Sequence, residues 1–300
     1  MAWGDCVNIN EEIAAFLAHC EEKGLSGTTV RCYGIDLRMF SCYVQNKYSE
    51  KKLVQFFEEL KSVSAATARR RYSSLKAFFD FMVESGVFIA NPIVKLNLYV
   101  AAPHNEAEAP IDVAIIDRIL RKAYQSKEDC LSEYYYKLAI RDIAIIEFIA
   151  NTGAMQVEVI NLTADDVDVT SGMIVFHGKG NRERVIKIEN EQTLVALREY
   201  YAEFKGEINS SGYFFVTRLK KKMSEHVIRQ IFKKYAEECG VTPKQFRQTF
   251  AFLLYDNGMD VNYIQRIMGH SEMAVTKRYT ERSEKSPSVI SVSGYKGKGK

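Results

Sequence analysis

Lys244 and Arg247 stand three residues apart in TPKQFRQTFA (Thr242 to Ala251), so a helix there turns both cations to one face. That face lies opposite Phe246, Phe250 and Leu253, which belong in a core. A basic pair of this kind is either a solvated surface or a clamp for a phosphate. An arginine's planar fork suits the clamp because it can meet two phosphate oxygens at once. His270 lies in MGHSEMAVTKRYT (Met268 to Thr280), at a turn between helices where a satisfied structural histidine is one reading. Tyr279 follows His270 by nine residues and is one of seventeen tyrosines, which taken singly are more often packing residues. Lys179 falls in the turn signal Gly178-Lys179-Gly180-Asn181, where most lysines are simply solvated. The sequence has no carboxylate cluster that suits a two-metal nuclease. Its six cysteines are scattered without a CxxC pair, which argues against zinc. No metal and no cofactor is expected.

Two sets of elements position these residues. The first hundred residues read as four helices: Asn10 to Lys23, a second beginning after Ser26 and Gly27, Lys51 to Lys61, and a fourth from Ser64 to Gly86. The fourth places Ala68, Tyr72, Leu75, Phe78, Phe79 and Met82 at three- and four-residue steps, with Arg69, Arg70, Arg71 and Lys76 opposite. The charges on that opposite face fit a solvated surface or a nucleic-acid contact equally well. Asn91-Pro92 closes the bundle, and VAAPHNEAEAP (Val100 to Pro110) has a linker's composition. A second domain begins with a helix near Asp112 to Tyr124. Leu138 to Ala150 is apolar on nearly all sides and reads as a buried central helix that Asn151-Thr152-Gly153 breaks. Met173 to His177 and Arg184 to Ile188 form a hairpin. Helices resume after about Ser224, one of them capped by Thr242 with Pro243 and Gln245, the next ending at Gly269, and Ser271 caps a last one carrying Tyr279. The expected fold class is mainly α: a helical N-terminal domain (1–99), a linker (100–111), a mostly helical domain with a small β-sheet (112–283) and a tail (284–300) whose last residues, GYKGKGK, read as disordered.

With 47% hydrophobic and 26% charged residues the chain is globular rather than disordered, and 300 residues suffice for two cores. A net charge of +3 says little, because nucleic-acid binders show clustered rather than total charge. Met1 to Asn10 do not read as a signal peptide, and no apolar run approaches the roughly 18 residues of a membrane span. The expectation is a soluble, cytoplasmic protein.

Taken together and in order, TGAMQVEVINL (Thr152 to Leu162), GKGNRERVI (Gly178 to Ile186), TPKQFRQTFA and MGHSEMAVTKRYT resemble the catalytic domain of the tyrosine recombinases, the phage-type or Xer-like integrases. That family's segments read approximately TGxRxxE, a lysine in a β-hairpin turn, HxxRH, and LGH followed nine residues after its histidine by the tyrosine. The N-terminal half, through LSGTTVRCYGIDLRMF, ATARRRYSSLKAFFDFMVESG and NPI, resembles the family's SAM-like core-binding domain. The resemblance covers about residues 8 to 282. It implies that Tyr279 is a nucleophile forming a 3′-phosphotyrosine and Lys179 the general acid for the leaving oxygen. It makes Arg247 and Lys244 phosphate ligands, His270 a support for tyrosine or phosphate, and Glu158 an orienting residue. It also implies double-stranded DNA at a specific site as partner, a C-shaped clamp around it, and four protomers exchanging strands in pairs. Phosphate-contact candidates are Arg69, Arg70, Arg71, Lys76, Arg218, Lys220, Lys221, Lys222, Arg229 and Lys233.

Three positions depart from the pattern. Lys244 and Gln248 stand where the two histidines of HxxRH are expected, and Lys244 keeps a cation there. Met155 stands in place of the first arginine and can neither carry charge nor donate a hydrogen bond, so half of the expected clamp is missing. Arg141, Arg182 and Arg184 are the alternatives that could reach in from elsewhere. The reading is therefore a site-specific DNA recombinase, weakened at Met155. Its competitors are a non-catalytic DNA-binding or regulatory protein that kept the fold, and a type IB topoisomerase without site preference.

Overall fold

The computed structural model describes residues 8–45, 47–98, 110–178 and 183–270, together with Met273 and Thr276. The chain divides into two compact units, Met1–Asn105 and Glu106–Lys300.

The first unit holds α1 (Ile9–Glu22), α2 (Gly27–Val44), α3 (Glu50–Glu59), α4 (Ala65–Glu84) and the short α5 (Pro92–Lys95). Each start is marked in the sequence: Asn8, Ser26, Ser49, Ser64 and Asn91 lend a side-chain oxygen to a backbone N–H of the first turn. The apolar faces meet in one core, where Phe16 packs edge-on to Phe78 and Phe40 edge-on to Phe79. Asp36 of α2 is sealed into this core, where one carboxylate oxygen accepts from Ser74 of α4 at 2.7 Å and from Arg70.

The second unit is built on α6 (Val113–Glu128), α7 (Glu133–Thr152), α8 (Gln156–Asn161), α9 (Glu191–Ser211), α10 (Glu225–Ala236), α11 (Pro243–Asp256) and α12 (Val261–Met268). A small antiparallel sheet of order β1-β2-β3 adds Val167–Asp168, Met173–His177 and Glu183–Lys187. The β2–β3 register pairs Met173 with Lys187 and His177 with Glu183. As its composition predicts, α7 runs through the core; it also buries Arg141, Asp142 and Glu147. These charges are compensated: Asp142 accepts from Arg141 and from Tyr235, and Glu147 from Tyr124 and Thr193. The chain is thus mainly helical with a three-stranded sheet. Among the described residues no helix is long and apolar enough to cross a membrane.

The sequence reading assigns nothing to α9, although Leu194, Leu197, Tyr200, Phe204 and Ile208 carry a helical stripe and Asn190 caps it. It also starts α7 late, at Leu138. The first turns of α7 carry the exposed Tyr134, Tyr135 and Tyr136, which hide the periodicity. Most of the last expected helix, most of the linker and the tail lie outside the described residues.

Candidate active site

Local sequence sets up the site at one helix break. Gly153 ends α7 in the left-handed conformation at φ +58°, which an L side chain reaches only with strain, and a Cβ there would stand 2.5 Å from the Phe250 ring. The turn exposes the Gly153 carbonyl, which accepts from one terminal nitrogen of the Arg247 guanidinium on α11. The other terminal nitrogen donates to the carbonyl of Met268, the last residue of α12. Helix geometry leaves that carbonyl without an intrahelical partner. Arg247 is 8% exposed, so this side chain is held by the fold rather than waving in solvent.

Glu158, one turn into α8, organises the floor. Its Oε2 accepts the Met155 N–H at 2.6 Å, closing the first turn of the helix. Arg184 of β3 grips the same carboxylate with both edges of its fork, Nε to Oε1 at 3.0 Å and Nη2 to Oε2 at 2.8 Å. Arg247 approaches the same Oε2 at 3.7 Å. Two guanidinium groups therefore share one carboxylate, and the cluster keeps a net positive charge.

His270 follows α12 across Gly269, which is left-handed at φ +65°. Its backbone N–H donates to the Gln265 carbonyl at 3.1 Å, and the Gln265 side-chain amide donates back to the His270 carbonyl at 3.2 Å. On the ring, Nδ1 lies 2.9 Å from the hydroxyl of the buried Thr276. Burial first, then the positive charges of Arg247 and Arg184, push the imidazole down to about 4, against the opposing pull of Glu158. The ring is neutral at physiological pH and acts as a hydrogen-bonding group rather than a cation.

Arg247 also lines a cleft of about 290 Å³, together with Met155, Gln156, Glu225 and Lys244 among others. Met155 is 38% exposed there, so it is not a core filler. Lys244 is exposed on the same helix face as Arg247, as their spacing predicts. Gln248 is buried, and its side-chain oxygen has no hydrogen-bond partner among the described residues.

The structure thus brings together Met155, Glu158, Arg247, Lys244 and His270. Lys179 and Tyr279 lie outside the described residues, as does Arg182. The strands leading to Lys179 are described, and at the last rung His177 stands between two carboxylates. Its Nε2 is 2.7 Å from Asp166 and its Nδ1 3.0 Å from Glu183. The hydrogen bond to Asp166, aided by both negative charges, raises the imidazole above its ordinary value of 6.5. Of the three arginines that could fill the Met155 position, Arg141 is engaged with Asp142 at 2.7 Å. Arg184 is inside the cluster. Sequence reasoning passed over Gly153 and Thr276 as parts of the site. The Asn-Thr-Gly stop signal pointed to Gly153; nothing in the sequence marks Thr276.

The basic candidates differ in what already holds them. In the first unit Arg70 pairs with Asp36 and Lys76 with Asp80 at 2.8 Å, whereas Arg69 is exposed with no partner among the described residues. Arg71 is half-buried, and its Nε has no hydrogen-bond partner among the described residues. In the second unit, residues 217–222 form a tight loop closed by the Val216–Lys222 bridge, with Arg218, Lys220 and Lys221 exposed, Arg218 donating to the Tyr134 hydroxyl at 3.2 Å and Lys220 within 3.8 Å of Glu207. Lys222 donates to Asn161 at 2.6 Å and lies over the Tyr213 ring. Arg229 and Lys233 are exposed on α10, Arg229 within 3.5 Å of Glu225.

Residues 123–286 match the phage integrase family, and residues 13–86 match that family's N-terminal SAM-like domain. A tyrosine recombinase of Agathobacter rectalis is 31% identical over 290 residues, covering 91% of this chain and 92% of the relative. The tyrosine recombinase XerD of Listeria monocytogenes is 27% identical, covering 86% and 89%. Among solved structures, the XerH site-specific recombinase bound to its palindromic difH substrate, a post-cleavage complex, has a similar fold. Its TM-score is 0.69 at 16% identity, covering 91% of this chain and 82% of that one. A lambda integrase dimer bound to a COC′ core site gives 0.68 at 13% identity, covering 96% and 81%.

Proposed function

The chain belongs to the phage integrase family of tyrosine recombinases, and from that premise we propose that it is a site-specific recombinase acting through Tyr279. The observation that carries the reading is the buried Arg247, tied to the Gly153 and Met268 carbonyls beside a cleft that Lys244 also lines. A scissile phosphate fits there because a phosphodiester gains negative charge on its non-bridging oxygens as it is attacked, and fixed cations stabilise that charge without reorganising. The Tyr279 phenol gives its proton to solvent as its oxygen forms a bond to phosphorus and the bond to the 5′-oxygen breaks. Lys179 gives the leaving oxygen its proton. In the second step a DNA 5′-hydroxyl attacks the phosphotyrosine and releases the phenol. The covalent intermediate conserves the bond energy, so rejoining needs no ATP. Glu158 takes no proton in this scheme; it orients Arg184 and the start of α8.

On the same reading, four protomers assemble on two double-stranded DNA sites in the cytoplasm. The exposed Arg69, Arg218, Lys220, Lys221 and Lys233 contact phosphates, together with Arg71, Lys222 and Arg229. Arg70 and Lys76 are already neutralised by carboxylates and contribute less.

Met155 supports a second reading, a DNA-binding protein without strand cleavage. A duplex site selected from random DNA, prepared with a nick that lets the cleaved end diffuse away, separates the two. A protein–DNA adduct on a denaturing gel establishes the recombinase, and tight binding with no adduct establishes the second reading.

A further inference from the structure

We propose that Arg184 is a positioning residue of the cleavage site, supplying from β3 the positive charge that Met155 cannot supply from α8. The inference rests on the recombinase reading above. Its starting point is charge. Arg247 and Glu158 alone would cancel, leaving a phosphate little to bind. Arg184 prevents this by taking Glu158 in a two-point grip at 2.8 and 3.0 Å, which leaves Arg247 the longer 3.7 Å approach. Arg247 then keeps its charge for the cleft it lines.

Position makes the same point. Glu158 Oε2 accepts both the Arg184 Nη2 and the Met155 N–H, so the guanidinium stands one oxygen atom away from the backbone where an arginine is expected. Its remaining terminal nitrogen donates to the Ile267 carbonyl, while Arg247 takes the next carbonyl, Met268. The two arginines thus cap consecutive carbonyls at the end of α12, immediately before Gly269 and His270. One face of the Arg184 guanidinium covers the Phe176 ring at 4.0 Å, which excludes water and strengthens its field. The route of the side chain depends on Gly269, where a Cβ would come within 3.0 Å of the Arg184 Cδ. Arg184 also helps keep His270 neutral. A residue that only braced the fold would tie α8 to α12 without governing charge in the cleft.

The test compares adduct formation on the nicked duplex at saturating DNA for the wild type, R184K, R184Q, M155R and M155R/R184Q. R184Q is expected to slow the wild type at least about tenfold, less than the 10²–10³ that losing a donor to the oxyanion itself costs, because Arg184 acts through Glu158 and Arg247. R184K, which keeps the charge but loses the fork, recovers part of the rate. In the M155R background R184Q costs less than about threefold, because the charge is again supplied at 155. Equal losses in both backgrounds overturn the proposal. Should R184Q fail to fold, E158Q/R184Q, which removes both charges and leaves Arg247 uncancelled, should keep the wild-type rate within about threefold, and a loss of tenfold or more overturns the proposal. Independently of activity, NMR titration of His270 should move up in pH when Arg184 loses its charge; an unmoved titration also overturns the proposal. If no protein forms an adduct, the recombinase reading fails, and the His270 titration alone decides the role of Arg184.

Discussion

Arg70 on α4 donates to the carboxylate of Asp36 on α2, whose side chain is wholly buried while that of Arg70 is 40% exposed. The contact makes one member of the Arg69-Arg70-Arg71 run a structural residue. Removing it strands a buried carboxylate, whose second oxygen already has no hydrogen-bond partner among the described residues.

Arg70→Ala should therefore destabilise the first unit by about 1–3 kcal/mol, the usual result of leaving a buried group short of a hydrogen bond. Arg69→Ala should leave stability within about 0.5 kcal/mol, as exposed substitutions do. It should lower DNA affinity on all sequences alike and flatten the salt dependence by up to about one unit of slope. Denaturant melts and binding isotherms at several salt concentrations check both. An unchanged slope for Arg69→Ala means that α4 does not face phosphate through this residue.

Gly153→Ala should cost about 2 kcal/mol, from the left-handed backbone and from displacement of the Phe250 ring. For a unit of this size that corresponds to a fall of about 4–8 °C in Tm. Because the Gly153 carbonyl holds Arg247, adduct formation should fall as well. Calorimetry showing no change in Tm would mean that the turn relaxes without strain.

Much of this was legible in the sequence because the local signals agree with the fold. Thr242, Pro243 and Gln245 start α11 where they predict, and the Lys244–Arg247 spacing places both cations beside one cleft. Asn8, Ser26 and Ser64 likewise mark helix starts to within a residue or two. Relations across long sequence separation were not legible. Nothing near Arg70 announces Asp36, 34 residues away. Arg184 was one of three arginines that could have reached the Met155 position, and only the fold brings it to Glu158. The α9 stripe was there to be read, but its position directly after a hairpin and its charged exposed face obscured it.

His270 and His177 should titrate in opposite directions. The folded state holds His270 neutral down to about 4, whereas the unfolded chain takes up a proton near the ordinary 6.5. This group therefore withdraws stability as pH falls from about 6.5 to 4 and withdraws no more below that. His177, raised by Asp166 and Glu183, adds stability that is complete below 6.5 and is lost as pH rises through its folded value. NMR titration of the two rings, with His270→Asn and His177→Asn for assignment, checks the pair. A His270 that titrates near 6.5 would show that the ring is not buried beside two arginines.

Met155→Arg should raise the rate of adduct formation at least about threefold in the Arg184→Gln protein, where the charge is missing, and by less than about threefold in the wild type, where Arg184 already supplies it. The rate should be compared at equal DNA occupancy. A gain of about tenfold or more in the wild type would mean that Arg184 leaves the position at 155 unfilled.

The bond between Tyr279 and a DNA 3′-phosphate is the step on which the proposed reaction depends. Wild-type protein and Tyr279→Phe are incubated with the nicked duplex of a selected site, denatured, and digested with protease, and the DNA-linked peptide is sequenced by mass spectrometry. The account predicts an adduct on the wild type carried by Tyr279, none on Tyr279→Phe, and equal duplex binding by both. An adduct that survives in Tyr279→Phe, or a bound and verified site on which the wild type never forms one, contradicts it.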